Sequence, residues 1–243
     1  TGGVFDATAG TFIPTVGATT SEFTYTINGL APCVNSSSVA TVNITSAPTA
    51  SILYPQPQYC VSSSNVSVTL NGTGAYTGGT YSALPATGLI LDTTTGAITP
   101  SGSTPGTYTV SYAIPASGGC TPAPVSTTVT ITAAPTASIS YAATPYCNDN
   151  ATAQAVTLTG TNNYTGGVFS AAPATGLILD ATTGAITPST STPGTYTVTY
   201  TIAAAGGCPV VTATATITVT ALPAATIIYA GSPYCSTDLS APV

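Results

Sequence analysis

Residues 164–208 read YTGGVFSAAPATGLILDATTGAITPSTSTPGTYTVTYTIAAAGGC, and nearly the same text runs from Tyr76 to Cys120, 88 positions earlier. Nine of the 45 positions differ, among them Val168 for Thr80, Phe169 for Tyr81 and Ala181 for Thr93. A shortened relative opens the chain, from TGGVFDATAG to Cys33. Neighbours this similar must share one fold, so the chain is a tandem array of one unit. Two whole repeats, 48–134 and 135–222, are expected between a C-terminal part at 1–47 and an N-terminal part at 223–243. Since the text begins in mid-repeat, it reads as an internal piece of a longer protein.

Inside a repeat the dominant pattern is alternation. In GTYTVTYTI, Tyr196, Val198, Tyr200 and Ile202 share one face and threonines the other. In VVTATATITVT, Val211, Ala213, Ala215, Ile217 and Val219 alternate with Thr. A period of two with β-branched residues marks half-buried antiparallel strands. Strands are predicted at 135–141, 155–160, 166–171, 177–180, 185–187, 195–202 and 211–220. Seven short strands with turns between them predict an all-β fold, a tandem array of immunoglobulin-like antiparallel β-sandwiches. Tyr108 and Tyr196 stand where a tyrosine corner belongs; in the opening part the equivalent position is Ser21. The junctions Ala47-Pro48, Ala134-Pro135 and Leu222-Pro223 follow strands directly, and such short proline linkers predict a semi-rigid array.

Charge excludes several classes of function. Lys, Arg and His are absent, and the net charge is −6. No side-chain ion pair can form. Phosphate cannot be neutralised, so nucleic acid is not an expected partner. The longest apolar runs are interrupted by Thr, Ser, Gly and Pro, well short of the roughly 18 residues of a spanning helix, so no membrane insertion is expected. Without His there is no Ser-His-Asp or Cys-His arrangement. The few acids are scattered over separate repeats, so no catalytic residue, no cofactor and no enzymatic activity is expected. YTGG at 76–79 and 164–167 is glycine-rich, yet it precedes a strand and lacks a lysine; it reads as a tight turn rather than a phosphate loop.

The cysteines are Cys33, Cys60, Cys120, Cys147, Cys208 and Cys235. None form the close pairs of a zinc site. Structural disulfides are expected, in two competing sets. One set, Cys60–Cys120 and Cys147–Cys208, lies within repeats and leaves Cys33 and Cys235 to pair outside the segment. The other, Cys33–Cys60, Cys120–Cys147 and Cys208–Cys235, crosses each junction. The first set is favoured: first and last strands of such a sandwich run parallel, so cysteines near their starts would meet within disulfide range.

Asp6, Asp92 and Asp180 stand at equivalent places and read as caps of their own turns. Calcium ligation is the competing reading for Asp92 and Asp180, but each repeat offers too few acids. Asn148, Asp149 and Asn150 form a denser oxygen cluster and a further calcium candidate, and no metal is expected. Outward strand faces carry Thr where Lys and Glu usually protect a sheet edge.

LPATGLILDTTTGAITPSGSTPGTYTVSY at 84–112, with PYC near the repeat start and GGC before the last strand, resembles the Ig-like repeats of giant Bacteroidetes surface proteins, among them gliding-motility adhesins of the SprB type. The resemblance covers both whole repeats. It implies export by type IX secretion, an extracellular location at the cell surface, and a stalk or adhesin role. Asp92-Thr93-Thr94 resembles the O-glycosylation motif of that phylum, which makes Thr93 a candidate glycan site; Ala181 removes it from the next repeat. The expected function is a structural stalk of a surface adhesin. Alternatives are a segment of a self-assembling filament and a carbohydrate-binding module. Expected partners are neighbouring repeats, surface polysaccharide or other copies of the chain.

Overall fold

The computed structural model describes residues 3–142, 144–228, 233, 236 and 237. The described chain is built of strands and turns, with two single-turn 3-10 segments at Pro100–Gly102 and Pro188–Thr190. It divides into two compact units. The first holds the residues up to Ala134 together with Ala204–Pro209; the second holds Pro135–Ala203 and the residues from Val210 on.

The first unit begins with β1 (Gly3–Asp6), β2 (Thr11–Pro14), β3 (Thr20–Ile27) and β4 (Ser36–Asn43), paired as two hairpins, β1–β2 and β3–β4. These correspond to the second half of a repeat. They bury little: Tyr25 and Val39 are exposed, and only Phe5, Phe12 and Phe23 gather, with ring centroids 4.9 and 5.0 Å apart. The full repeat follows as β5 (Thr49–Leu53), β6 (Gln58–Cys60), β7 (Thr69–Thr73), β8 (Thr80–Leu84), β9 (Gly106–Ala113) and β10 (Val125–Thr132). β5 pairs with β7; β6, β10, β9 and β8 form a four-stranded sheet in that order.

The second unit repeats this plan. Its strands are β11 (Thr136–Tyr141), β12 (Tyr146–Cys147), β13 (Val156–Thr161), β14 (Val168–Ala172), β15 (Gly194–Ile202) and β16 (Val211–Thr220). β11 pairs antiparallel with β13, and the other sheet runs β12-β16-β15-β14. The two sheets close on one core, in which Ile139 of β11 meets Phe169, Val198, Tyr200, Ile217 and Val219 of the opposite sheet. This is the immunoglobulin-like sandwich. The core of the first repeat is its counterpart, with Ile52, Tyr81, Val110, Tyr112, Val129 and Ile131 in the same roles. Side chains of this size each contribute about 1.5–3 kcal/mol on full burial.

The alternation in the sequence is the alternation in space. Tyr196, Val198, Tyr200 and Ile202 are all buried while Thr195, Thr197 and the other threonines of β15 face outward or half outward. The corner tyrosines behave as placed: Tyr108 and Tyr196 each donate to the backbone carbonyl four residues upstream, on Thr104 and Thr192, at 2.7 Å.

Two features differ from the sequence reading. The first strand of each repeat is broken in two. In the second repeat β11 pairs with β13, the chain then passes Pro145, and β12 joins the other sheet parallel to β16. Pro offers no N–H to a ladder, so the break falls there. In addition, 177–180 and 185–187 are not regular strands. They share one bridge, Leu179 with Ile186, and Ile186 is also bridged to Gln154. Instead of continuing a ladder, Ile178 N donates to the buried Ser191 Oγ at 2.9 Å. The closed turn after Asp180 and the lack of a donor at Pro188 leave no room for a longer pairing.

Outward threonines pair with one another across the strands. Thr136–Thr161 and Ser138–Thr159 are joined at 2.7 Å, and Thr107–Thr130 at 3.1 Å. Cross-strand hydroxyl pairs of this kind support a sheet where ion pairs are unavailable.

Candidate functional site

Among the described residues the chemistry concentrates at one cross-link. The turn between β15 and β16 carries the GGC motif. Cys208 N donates to Ala205 O at 2.9 Å and Ala205 N to Cys208 O at 3.2 Å, so Gly206 and Gly207 alone make the bend. Both have positive φ, 58° and 78°, the geometry of a type I′ hairpin turn that glycine adopts without penalty. The turn belongs to the first unit, where it packs against β6. A Cβ at Gly207 would lie 2.7 Å from Gln58 O and 2.9 Å from Tyr59 Cα, so the backbones approach closely.

Cys208 is thereby bonded to Cys60, with Cα atoms 4.6 Å apart. Its sulfur also lies 3.7 Å from Ala133 O and 3.9 Å from Thr132 O. Both half-cystines are buried. The favoured within-repeat pairs, Cys60–Cys120 and Cys147–Cys208, are therefore corrected, and Cys208–Cys235 of the competing set is excluded with them. Cys120 and Cys147 are half-buried free thiols, and Cys33 is an exposed one. So Cys33–Cys60 and Cys120–Cys147 do not form either. Cys235 lies outside the described residues.

The reason is the strand break. Cys60 is paired in register with Thr132 and Cys147 with Thr220, the last residues of β10 and β16. Cys120 and Cys208 sit in the turns that precede those same strands. At roughly 3.3 Å per residue, β10 alone separates the two cysteines of a repeat by more than about 20 Å. A disulfide tolerates less than about 7 Å between Cα atoms. First and last strands are parallel, as expected, but the cysteine lies at the far end of the pairing.

The YTGG turns serve the core. Tyr200 Oη accepts from Gly167 N at 2.7 Å and donates to Tyr164 O at 2.8 Å, and Tyr112 does the same with Gly79 and Tyr76. The motif wraps the hydroxyl of a buried strand tyrosine. Nothing in the sequence alone pairs these positions, which stand 33 and 36 residues apart.

Asp92 and Asp180 cap their own turns. Asp92 Oδ1 accepts from Thr94 N and Thr95 N at 2.8 and 2.9 Å, and Asp180 Oδ1 from Thr182 N and Thr183 N at the same distances. Asp6 matches them through Thr8 and Ala9. The bonds from Thr95, then Thr94, hold the Asp92 carboxyl below the usual carboxylate range; those from Thr183 and Thr182 do so for Asp180, and those from Ala9 and Thr8 for Asp6.

In the oxygen cluster, Asn148 Oδ1 accepts from Leu222 N at 2.9 Å and Asn150 Oδ1 from Thr152 N at 3.0 Å, while Asp149 is exposed. Those two oxygens are turned to backbone amides. Among the described residues no group of three or more His, Cys, Asp or Glu converges. Thr93 is exposed on the Asp92 turn. No helix among the described residues is long and apolar enough to cross a membrane.

No family model and no curated protein matches the chain. Among solved structures, it is similar to the C-terminal 282-residue fragment of intimin, solved with the intimin-binding domain of its translocated receptor, at 17% identity and a TM-score of 0.44, over 72% of this chain and 64% of that one. It thus spans somewhat less than two thirds of that fragment. Mouse protocadherin-24 domains EC1–3 are similar at 11% identity and a TM-score of 0.34, over 91% and 87% of the two chains. A SusE-like, surface-located polysaccharide-binding protein of Bacteroides thetaiotaomicron is similar at 14% identity and a TM-score of 0.30, over 90% and 41%.

Proposed function

We propose that the chain is a run of structural spacer repeats in an extracellular cell-surface adhesin, and that it is not an enzyme. The observation that carries this reading is that adjacent near-identical repeats each close their own core. Duplicating such a unit adds length without requiring any new partner, and length is the working property of a stalk. A buried disulfide supports an oxidising, extracellular setting. The resemblance of 84–112 to Ig-like repeats of Bacteroidetes surface proteins supports the finer reading, a SprB-type adhesin exported by type IX secretion and working in gliding or surface attachment.

The test is a series with one, two and three whole repeats, measured by small-angle scattering. A stalk gives monomers whose maximum dimension grows by the same increment with each repeat. A second reading, a self-assembling filament, draws on the neutral threonine faces of the sheets. It is supported instead if mass rises with protein concentration in light scattering.

A further inference from the structure

The two half-buried free thiols stand where the two halves of the Cys60–Cys208 bond stand, one repeat displaced. Cys147 is paired in register with Thr220 on the parallel β12–β16 edge, as Cys60 is with Thr132 on β6–β10. Cys120 follows Gly118 and Gly119, with φ of 57° and 79°, the same two-residue turn that presents Cys208. Its thiol donates to Thr45 O at 3.4 Å, and Thr45 is the counterpart of Thr132, beside which Cys208 lies. A Cβ at Gly118 would press on the Thr45 side chain at 2.7 Å, as one at Gly206 would on Thr132 at 3.0 Å. The strand edge that carries Cys147 and the threonine side of the Cys120 turn are therefore formed without the bond, while a Cβ at Gly119 would meet nothing where one at Gly207 meets Gln58 and Tyr59 of β6.

From this we infer that Cys147 is a docking and cross-linking site for the GGC turn of a like repeat that follows it, and that Cys120 is the matching turn for a like repeat that precedes it. The rule is that the cysteine of the short parallel strand bonds the turn cysteine of the next repeat, never that of its own. An array of such repeats carries one disulfide per junction. Two thiols give up two electrons and two protons as the sulfur–sulfur bond forms. A disulfide oxidant of the oxidised-glutathione class takes them up and leaves as two thiols. The inference does not need the stalk reading; it would hold equally in a filament.

The test inserts one more copy of Pro135–Leu222 between Leu222 and Pro223, in a Cys33→Ser and Cys235→Ser background. The protein is folded in a mixture of oxidised and reduced glutathione, alkylated, cut with pepsin and mapped by mass spectrometry. The expected result is a peptide joining Cys147 to the turn cysteine of the added copy, beside the Cys60–Cys208 peptide. The inference is overturned if the added turn cysteine bonds the strand cysteine of its own copy. It is equally overturned if that turn cysteine is alkylated while Cys60–Cys208 has closed. Should the extended chain fail to close Cys60–Cys208, Cys60→Ser in the original chain decides. Cys208 and Cys147 both stay alkylatable if the rule holds, and a Cys147–Cys208 bond refutes it.

Discussion

Among single residues the buried tyrosines carry the most specific interactions. The Tyr200 ring is almost wholly buried, and its hydroxyl satisfies both a backbone amide and a carbonyl of the YTGG turn. Tyr200→Phe keeps the ring and strands both backbone groups, so it is expected to cost about 1–3 kcal/mol. Urea unfolding followed by circular dichroism measures this, with the exposed Tyr25→Phe as a control near zero. Tyr141 offers a second readout. Burial, and then the neighbouring Tyr146, push its hydroxyl from the ordinary value of 10 up to about 12. A raised folded value means that the contribution of this hydroxyl is complete below pH 10 and is lost as pH rises towards 12. Tyr141→Phe should therefore lose less stability than the parent between those limits, read from alkaline unfolding curves.

Whole elements show where sequence reasoning reached and where it stopped. The long strands β15 and β16 were legible because alternation over nine or ten residues has one interpretation. The corner tyrosines and the aspartate turns were legible because their partners lie four residues away or fewer. β12 was not legible: two residues carry no period, and only the pairing with β16 shows that the chain has changed sheets. The cysteine pairing was lost with it, since everything depended on which end of the last strand the first one reached. The aspartate turns give the prediction proper to this scale. Their carboxyls are depressed by backbone N–H bonds that exist only in the folded turn. Their contribution is present above the ordinary carboxylate value and is lost as pH falls through the depressed one. Asp180→Asn is expected to flatten the acid limb of the stability curve and leave the neutral region nearly flat against pH. An acid limb as steep as the parent's would show that the turn carboxylate adds nothing.

At the scale of the whole chain the absence of Lys, Arg and His removes ion pairs from the ledger, and threonine pairs with a covalent tie stand in their place. The tie spans a sequence separation of 148. In the chain-entropy account, closing a loop of that size is worth about 5 kcal/mol against the unfolded state, comparable to the whole stability of a modest domain. Cys60→Ser and Cys208→Ser should each lower the urea midpoint, and the double variant should lower it no further, because both delete the same bond. Cys120→Ser and Cys147→Ser should leave it nearly unchanged in this chain. A thiol reductant should bring the parent down to the level of Cys60→Ser and leave that variant where it was. If Cys120→Ser destabilised as strongly as Cys60→Ser, the bond would lie within the repeat after all, and the sheet-switching strand could not have carried Cys60 to the far end of β10.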